Sequence, residues 1–590
     1  MDREGWTVSA ANLDRMSTIL KGLIVALAAT LAVSSAGADA PTTSRHAPAI
    51  HAAALRGTTG CGAAAACTSR AVTGPIGTRI AASQGLADWV RLAADLHGSA
   101  IGAVAIPRMR ARDALDALYA ELDVAVFPGR IAAATDSLSA EQDAAVGDLV
   151  TSVWTAHRLS ARAIAGTGIE QLDALRAAHV ITASSSGLRD VSVEQELART
   201  LDALDAVNMD LMATAAAVLA DAIERFPRLD LADDIDLPLV FIGGSGDDVH
   251  ADDRVILIDE GGNDTYPNNA GGALLETAGS AIAVDRGDGA DVYRADRGAQ
   301  GFGEGGVGIL LDEGGADSYS LHSFGQGGTF GGIGVLYDEG PEDDLYLSPH
   351  LNGAAPIGTK AASLGGIGML IDEGGSNVYH QDGLDGLVWG AGGGLGLLAS
   401  LGDGDDLYRA DEVPVELLGT DLGTFAGPIM GSSEAYGAIV LYDEAGNDTY
   451  RCGDHVRQGC QSAAGPGSFA LLWDVEGDDS YLMGESISPL FFGGGASPID
   501  IVNFPMGQAS AYGWGLPAWG PAFALLRDED GEDRYVAEHW AQGHAVTGGT
   551  ALLYDTGGDA DVYATASPLV GTRGDGQTWA DGSIGFGADE

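Results

Sequence analysis

Positive charge is what this 590-residue chain lacks: 30 Lys and Arg stand against 84 Asp and Glu, a formal net charge of −54. Phosphate-gripping surfaces need basic stripes, so the balance argues against nucleic acid as a partner. It also disfavours an anionic membrane surface unless divalent cations bridge the two. Beyond residue 240 the one lysine is Lys360. Aromatic residues are few, at 6%, beside 88 glycines, which is unusual for an ordinary enzyme of this size. Long apolar runs are missing too: the stretch Leu23 to Val33 is too short to span a bilayer comfortably. With four cysteines and no C-x-x-C, zinc lacks its usual ligand spacing. Neither G-x-S-x-G nor H-E-x-x-H occurs, so no catalytic constellation stands out.

The chain holds 46% apolar residues, enough to bury a core, and its length calls for at least two domains. The acid is concentrated in one part. Net charge is −9 over the first 240 residues and −45 over the remainder. A halophile's acidic surface would show in both parts, so the excess belongs to the second part itself.

The N-terminus has the order of a secretory signal: Lys21, the apolar run, then small residues Ala36-Gly37-Ala38. Residues 1–38 are expected to be a signal peptide with the true start at Met16, and the protein to be extracellular, cell-surface or periplasmic. Residues 39–78, rich in Ala, Thr, Gly and Pro, are expected to be a linker. The cysteines form two close pairs, Cys61/Cys67 and Cys452/Cys460, suited to small disulfide loops outside the cytosol.

Residues 79–236 are expected to form a helical domain. Ser139-Ala-Glu-Gln142 is a capping box opening a helix to about Ala165, and Ser192-Val-Glu-Gln195 opens one that ends before Pro227. In the latter Leu197, Leu201, Leu204, Leu211, Ala215, Val218 and Ala222 keep the 4-3 spacing of a packed seam, interrupted by Asn208. Helices over 81–97 and 109–122 complete a small bundle.

From residue 237 to the end one phrase recurs, most clearly as Ile258-Asp-Glu-Gly-Gly-Asn-Asp-Thr-Tyr266, Leu311-Asp-Glu-Gly-Gly-Ala-Asp-Ser-Tyr319 and Tyr442-Asp-Glu-Ala-Gly-Asn-Asp-Thr-Tyr450. Early copies start about 26 residues apart and later ones up to about 54, and a recurring period of this size marks a solenoid or a propeller. Between copies lies a second phrase, Gln-Gly with spaced glycines: Gln300-Gly301, Gln326-Gly327, Gln542-Gly543. The apolar runs are too short for helices, and a propeller blade needs four strands. The fold expected is therefore mainly β with an α-helical N-terminal domain: a parallel β-solenoid of about ten Gly/Asp-rich coils following a small helical bundle.

Stacked coils would pile equivalent aspartates about 4.8 Å apart. Each bare pair would repel by about 3–4 kcal/mol at an effective dielectric of 20, and Arg and Lys are too scarce to neutralise them. Hard oxygen ligands suit Ca²⁺. Asp beside Gly also forms Asx-turns without any metal. The phrase resembles the calcium-binding nonapeptide repeats of RTX proteins. Gly262-Asn-Asp264-Thr-Tyr266, Gly315-Ala-Asp317-Ser-Tyr319, Gly446-Asn-Asp448-Thr-Tyr450 and Gly477-Asp-Asp479-Ser-Tyr481 match the G-x-D-x-(large apolar) part, and Gly243-Gly-Ser-Gly-Asp-Asp248-Val matches in part. The motifs here are not in tandem, and Asn377 replaces the second Asp once. The resemblance implies Asp264, Asp317, Asp448 and Asp479 as ligands beside glycine carbonyls. The repeat extends the candidate metal residues to Asp247, Asp259, Asp285, Asp291, Asp312, Asp338, Asp344, Asp372, Asp406, Asp443, Asp474, Asp528, Asp533, Asp555 and Asp561.

The function expected is a secreted or cell-surface calcium-binding β-solenoid protein with a structural or binding role, its partners calcium ions and extracellular or surface polysaccharide. The alternative is an extracellular carbohydrate-active enzyme on a β-helix scaffold. That alternative looks to the insertions at about 409–436 and 482–522, with Phe491, Phe492, Trp514 and Trp519, and to His539 and His544 beside Trp540.

Overall fold

The structure is a computed structural model that describes residues 48–54, 65–127, 129–185, 191–275, 279–349, 359–382, 387–411, 431–434, 436–452, 461–465, 467–483, 508–511, 522–537, 542–545, 549–557, 561–565, 578–582 and 585–589. The chain divides into two units, Met1–Thr43 and Ser44–Glu590, and every described residue lies in the second. This unit is mainly β, with large parallel sheets following a set of N-terminal helices.

From Ser280–Asp285 onward the strands follow a rule of three, pairing in parallel with the strand three places on. Val307–Asp312 lies between Ser280–Asp285 and Ile333–Asp338, with Asp312 in register with Asp285 and Asp338. The next strand, Ser318–Ser323, lies between Val292–Arg297 and Leu345–Ser348 in a second column, Tyr319 in register with Tyr293 and Tyr346. Thr329–Phe330 lies between Gly303–Glu304 and Ser363–Leu364 in a third. The second column is a ten-stranded sheet, and the first and third join in a sheet of 22 strands.

The first column is apolar on both faces, so its strands read as unbroken hydrophobic runs rather than alternating ones. Every residue of Val307–Asp312, Ile333–Asp338 and Ile367–Asp372 is buried. Alternate side chains go opposite ways. Ile309, Leu311 and Val335 share one core with Val153, Leu204 and Met212 of the helices, while Leu310, Leu336 and Leu370 share a second core with the tyrosines of the second column. The second column alternates buried and part-exposed residues, as in Ser318–Ser323, and so turns one face to solvent.

The helices lie on the first column. Helix Ala140–Ile164 starts at the expected capping box: Gln142 N donates to Ser139 Oγ (3.3 Å), and Ser139 N donates to Gln142 Oε1 (2.9 Å). The helices expected at 81–97 and 109–122 run over Leu86–His97 and Ala111–Glu121. Two expectations are corrected. The long helix ending before Pro227 is two helices, Val191–Asp205 and Met209–Arg225. Asn208, rather than setting a register, caps the second by accepting from Leu211 N (3.1 Å). The stretch assigned to a linker contains helix Ala65–Ile80, whose Val72, Ile76 and Ile80 are buried at four-residue spacing.

Leu201 and Leu204 of the first of the paired helices meet glycines in the sheet, where a Cβ on Gly365 would stand 2.6 Å from Leu204 Cδ2, while the second packs on helices Ala140–Ile164 and Leu86–His97. Buried Arg286 reaches from the first column to the end of the last helix, donating to Phe226 O (2.6 Å) and facing Glu313 at 3.3 Å. Among the described residues no single helix is long and apolar enough to cross a membrane. The expected signal peptide lies outside the described residues, as does the full cysteine pairing, because the side chains of Cys61, Cys67 and Cys460 are not among those described.

Candidate metal centre

Apart from Asn377 and Ser400, the repeats carry two acidic positions at the corner between the first and second columns. One ends the first-column strand, as Asp285, Asp312, Asp338, Asp372 and Asp443 do, in register across neighbours. The other precedes the second-column strand by one residue. Between them lies the Gly-Gly corner, where a side chain has no room. Gly315 has φ 129°, and a Cβ there would meet the Gly289 carbonyl of the preceding repeat at 1.5 Å. That close stacking brings the acids of successive repeats together.

The second acids form a continuous ladder in which each backbone N–H donates to the side chain of the equivalent residue one repeat on. Asp248 N donates to Asp264 Oδ1 (2.6 Å), Asp291 N to Asp317 Oδ1 (2.6 Å), Asp317 N to Asp344 Oδ1 (2.6 Å) and Asp344 N to Asn377 Oδ1 (2.8 Å). The ladder continues through Asn377 to Asp406, Asp448, Asp479, Asp533 and Asp561.

Several of the first acids use both oxygens, whereas Oδ1 of Asp474 and Asp528 is buried without a hydrogen-bond partner among the described residues. In three repeats Oδ1 accepts from the glycine N–H two residues on, as Gly314 N to Asp312 Oδ1 (3.1 Å). These are Asx-turns of the metal-free kind. Oδ2 accepts from a column of tyrosines: Tyr293 donates to Asp312 (2.7 Å), Tyr319 to Asp338 (2.8 Å), Tyr346 to Asp372 (2.6 Å) and Tyr450 to Asp474 (2.7 Å). The ten rings from Tyr266 to Tyr563 stack at 4.5–5.0 Å between centroids and within 8° of parallel. At the first repeat His250 takes the tyrosine's place, its Nε2 2.6 Å from Asp259 Oδ2. Burial and the flanking carboxylates push these phenols well above their ordinary value, so they remain donors.

One oxygen is left over. Among the described residues Oδ2 of Asp264, Asp291, Asp317, Asp448, Asp479 and Asp533 is buried and has no hydrogen-bond partner. Each side chain is no more than 2% exposed. Asp264, Asp291, Asp317 and Asp448 are members of groups of three carboxylates in which one oxygen from each residue lies within 4.8 Å of the others: Asp248/Asp259/Asp264, Asp264/Asp285/Asp291, Asp291/Asp312/Asp317, Asp317/Asp338/Asp344, Asp406/Asp443/Asp448 and three more. Such buried groups can hold a metal ion. Without one, burial and then the neighbouring acids raise Asp291 to about 8 and Asp317 to about 10, and raise Asp312 and Asp338 well above the usual carboxylate range. Burial lifts Asp448 to about 8 and Asp533 to about 9, with backbone donors opposing it.

Of the residues expected from sequence, Asp259, Asp264, Asp285, Asp291, Asp312, Asp317, Asp338, Asp344, Asp406, Asp443 and Asp448 come together in these groups. Asp474, Asp479, Asp528, Asp533, Asp555 and Asp561 occupy the same two buried positions in later repeats. Asp372 is satisfied differently, by the Asn377 amide (2.9 Å). Asp247 sits elsewhere: it is exposed and accepts from Asn263 N and Nδ2 (both 3.0 Å), while Asp248 holds the ladder position. The tyrosine partners were not foreseen, although Tyr follows the second Asp by two residues throughout the clear copies. The glutamines of the second phrase cap carbonyls, with Gln300 Nε2 donating to Tyr293 O (3.1 Å) and Ser320 O (3.1 Å). His539, Trp540 and the aromatic residues Phe491, Phe492, Trp514 and Trp519 lie outside the described residues. No protein family, curated protein or solved structure matches the chain.

Proposed function

We propose that this chain is a secreted or cell-surface protein whose repeat region is a calcium-binding parallel β-solenoid of about ten coils, with a structural or binding role outside the cytoplasm. Pairing of strands with the third one on from Ser280–Asp285 onward, in three in-register columns, supports the solenoid. The observation that carries the metal reading is the row of buried Oδ2 atoms without partners, on residues of which Asp264, Asp291, Asp317 and Asp448 stand in groups of three carboxylates. Leaving a buried charged acceptor unpaired costs more than about 3 kcal/mol, so a row of them must either hold protons or meet a counter-charge inside the fold, and a cation supplies the latter.

Calcium suits the donor set. It takes 6–8 oxygens, mixes carboxylates with backbone carbonyls and tolerates irregular geometry, whereas magnesium demands a tight octahedron. Calcium supplies charge neutralisation and cross-linking between successive repeats; the residues themselves hold it with Asp oxygens that the backbone N–H ladder has already oriented. The solvent-facing side of the second column is left free for a partner, for which surface polysaccharide is the proposal.

Thermal melting of the full chain, followed by circular dichroism with calcium and with excess EDTA, tests this. EDTA is expected to lower Tm by many degrees, since a site held at a hundred times its Kd contributes about 2.7 kcal/mol. Coincident melts in the two conditions would remove calcium from the account.

A further inference from the structure

Two successive repeats break the acidic pattern, and both carry their own replacement for a cation. At the second acidic position of one, Asn377 keeps the ladder bond through Oδ1 but places an amide where the other repeats have the unpaired oxygen. Its Nδ2 donates to Asp372 Oδ1 (2.9 Å) and to Gly374 O (2.8 Å). In the next repeat Ser400 stands in register with Asp372 and Asp443. Its hydroxyl donates to Asp406 Oδ2 (2.5 Å) and accepts from Tyr379 (3.1 Å). The leftover oxygen is thus supplied with a protein hydrogen in these two repeats.

The amide also marks the spot that elsewhere lacks a positive group: between the first acid's Oδ1, the corner glycine's carbonyl and the second acid's outer oxygen. Before these repeats the groups share members, Asp264 serving two groups, Asp291 two and Asp317 two, so that neighbouring sites are linked by a common carboxylate. Beyond them Asp406, Asp443 and Asp448 form a further group.

Resting on the calcium reading above, we infer that the ladder is two separate cation arrays, one of four sites from Asp248 to Asp344 and one beginning at Asp406, divided by a neutral spacer made of Asn377 and Ser400. Within an array a shared carboxylate couples each ion to the next; across the spacer no carboxylate is shared, and the arrays fill independently. The spacer also holds the middle of the repeat region together when no metal is bound, because its hydrogen bonds need none.

The test is calcium stoichiometry by isothermal titration calorimetry on the full chain, comparing wild type with N377D, the double variant N377D/S400D, and D317N. N377D is isosteric and is expected to add one ion per chain, and the double variant two, with the two binding phases of wild type merging into one. D317N is expected to lose calcium ions while raising Tm in EDTA, since it installs the Asn377 arrangement. Unchanged stoichiometry in the double variant, with wild type binding calcium and both proteins folded by circular dichroism, would overturn the two-array inference and leave the calcium reading standing. Wild type binding no calcium would overturn the calcium reading itself. If D317N lowers Tm in EDTA, the equivalence of the amide and the cation is wrong.

Discussion

Each ladder aspartate divides its carboxylate between two tasks. One oxygen takes a backbone N–H from the preceding repeat, and in Asp264, Asp291, Asp317, Asp448, Asp479 and Asp533 the other is buried without a hydrogen-bond partner among the described residues. The metal-free Asx-turn and the metal site are therefore not alternatives here: the turn accounts for one oxygen of the first acid, and the leftover oxygen of the second is a separate matter. The pH dependence follows from the raised values. Unfolded, these acids titrate near the ordinary carboxylate value; folded and metal-free, Asp291 and Asp448 hold their protons to about 8 and Asp533 to about 9. The folded state then binds more protons between those limits, so its stability is fully present below about pH 4 and is lost as pH rises through the folded values. In EDTA, Tm is expected to fall steadily from pH 5 to pH 9, and in saturating calcium the fall is expected to be much smaller. Melts across that range check both. A second expectation concerns the tyrosines. Tyr450→Phe removes a 2.7 Å donor from Asp474 in a fully buried setting and is expected to cost about 1–3 kcal/mol by urea denaturation. The aspartate pair was legible in the sequence because both acids recur at fixed spacing. The phenol that serves the first acid was not, because the donor reaches Asp474 across two repeats and only the stacking register sets that contact.

At the scale of the element, the corner glycines decide whether the repeats can close on one another. Gly315→Ala combines φ 129° with a Cβ 1.5 Å from the Gly289 carbonyl, and is expected to destabilise by more than about 2 kcal/mol. Gly166→Ala, where a Cβ meets nothing within 4 Å but φ is 75°, is expected to cost about 1 kcal/mol. Chemical denaturation of the pair separates close approach from backbone conformation. The strands were readable from short apolar runs bounded by glycine. The helices were readable as apolar seams, but a seam states only that a face is buried, not against what. Leu204 packs on sheet glycines whose missing side chains make the groove, and glycine leaves no apolar mark in a sequence. The helix Ala65–Ile80 was missed because its alanines and glycines resemble a linker, and its three buried positions gain meaning only once the sheet lies beneath them.

Across the whole molecule, the negative charge is sorted rather than spread. The two acid columns run along a single corner of the repeat region, between a first sheet column dry on both faces and a second that faces solvent. On the proposed reading, the buried acids of both columns are placed where one class of counter-ion would meet them. The account's central claim is that cations fill those carboxylate groups. Anomalous diffraction from crystals of the full chain grown with terbium, a calcium substitute, tests it most directly. The account predicts a line of peaks beside the outer oxygens of Asp264, Asp291, Asp317 and Asp448, with a gap at Asn377 and Ser400. Carboxyl oxygens of neighbouring aspartates in direct contact, sharing protons with no peak between them, would contradict it.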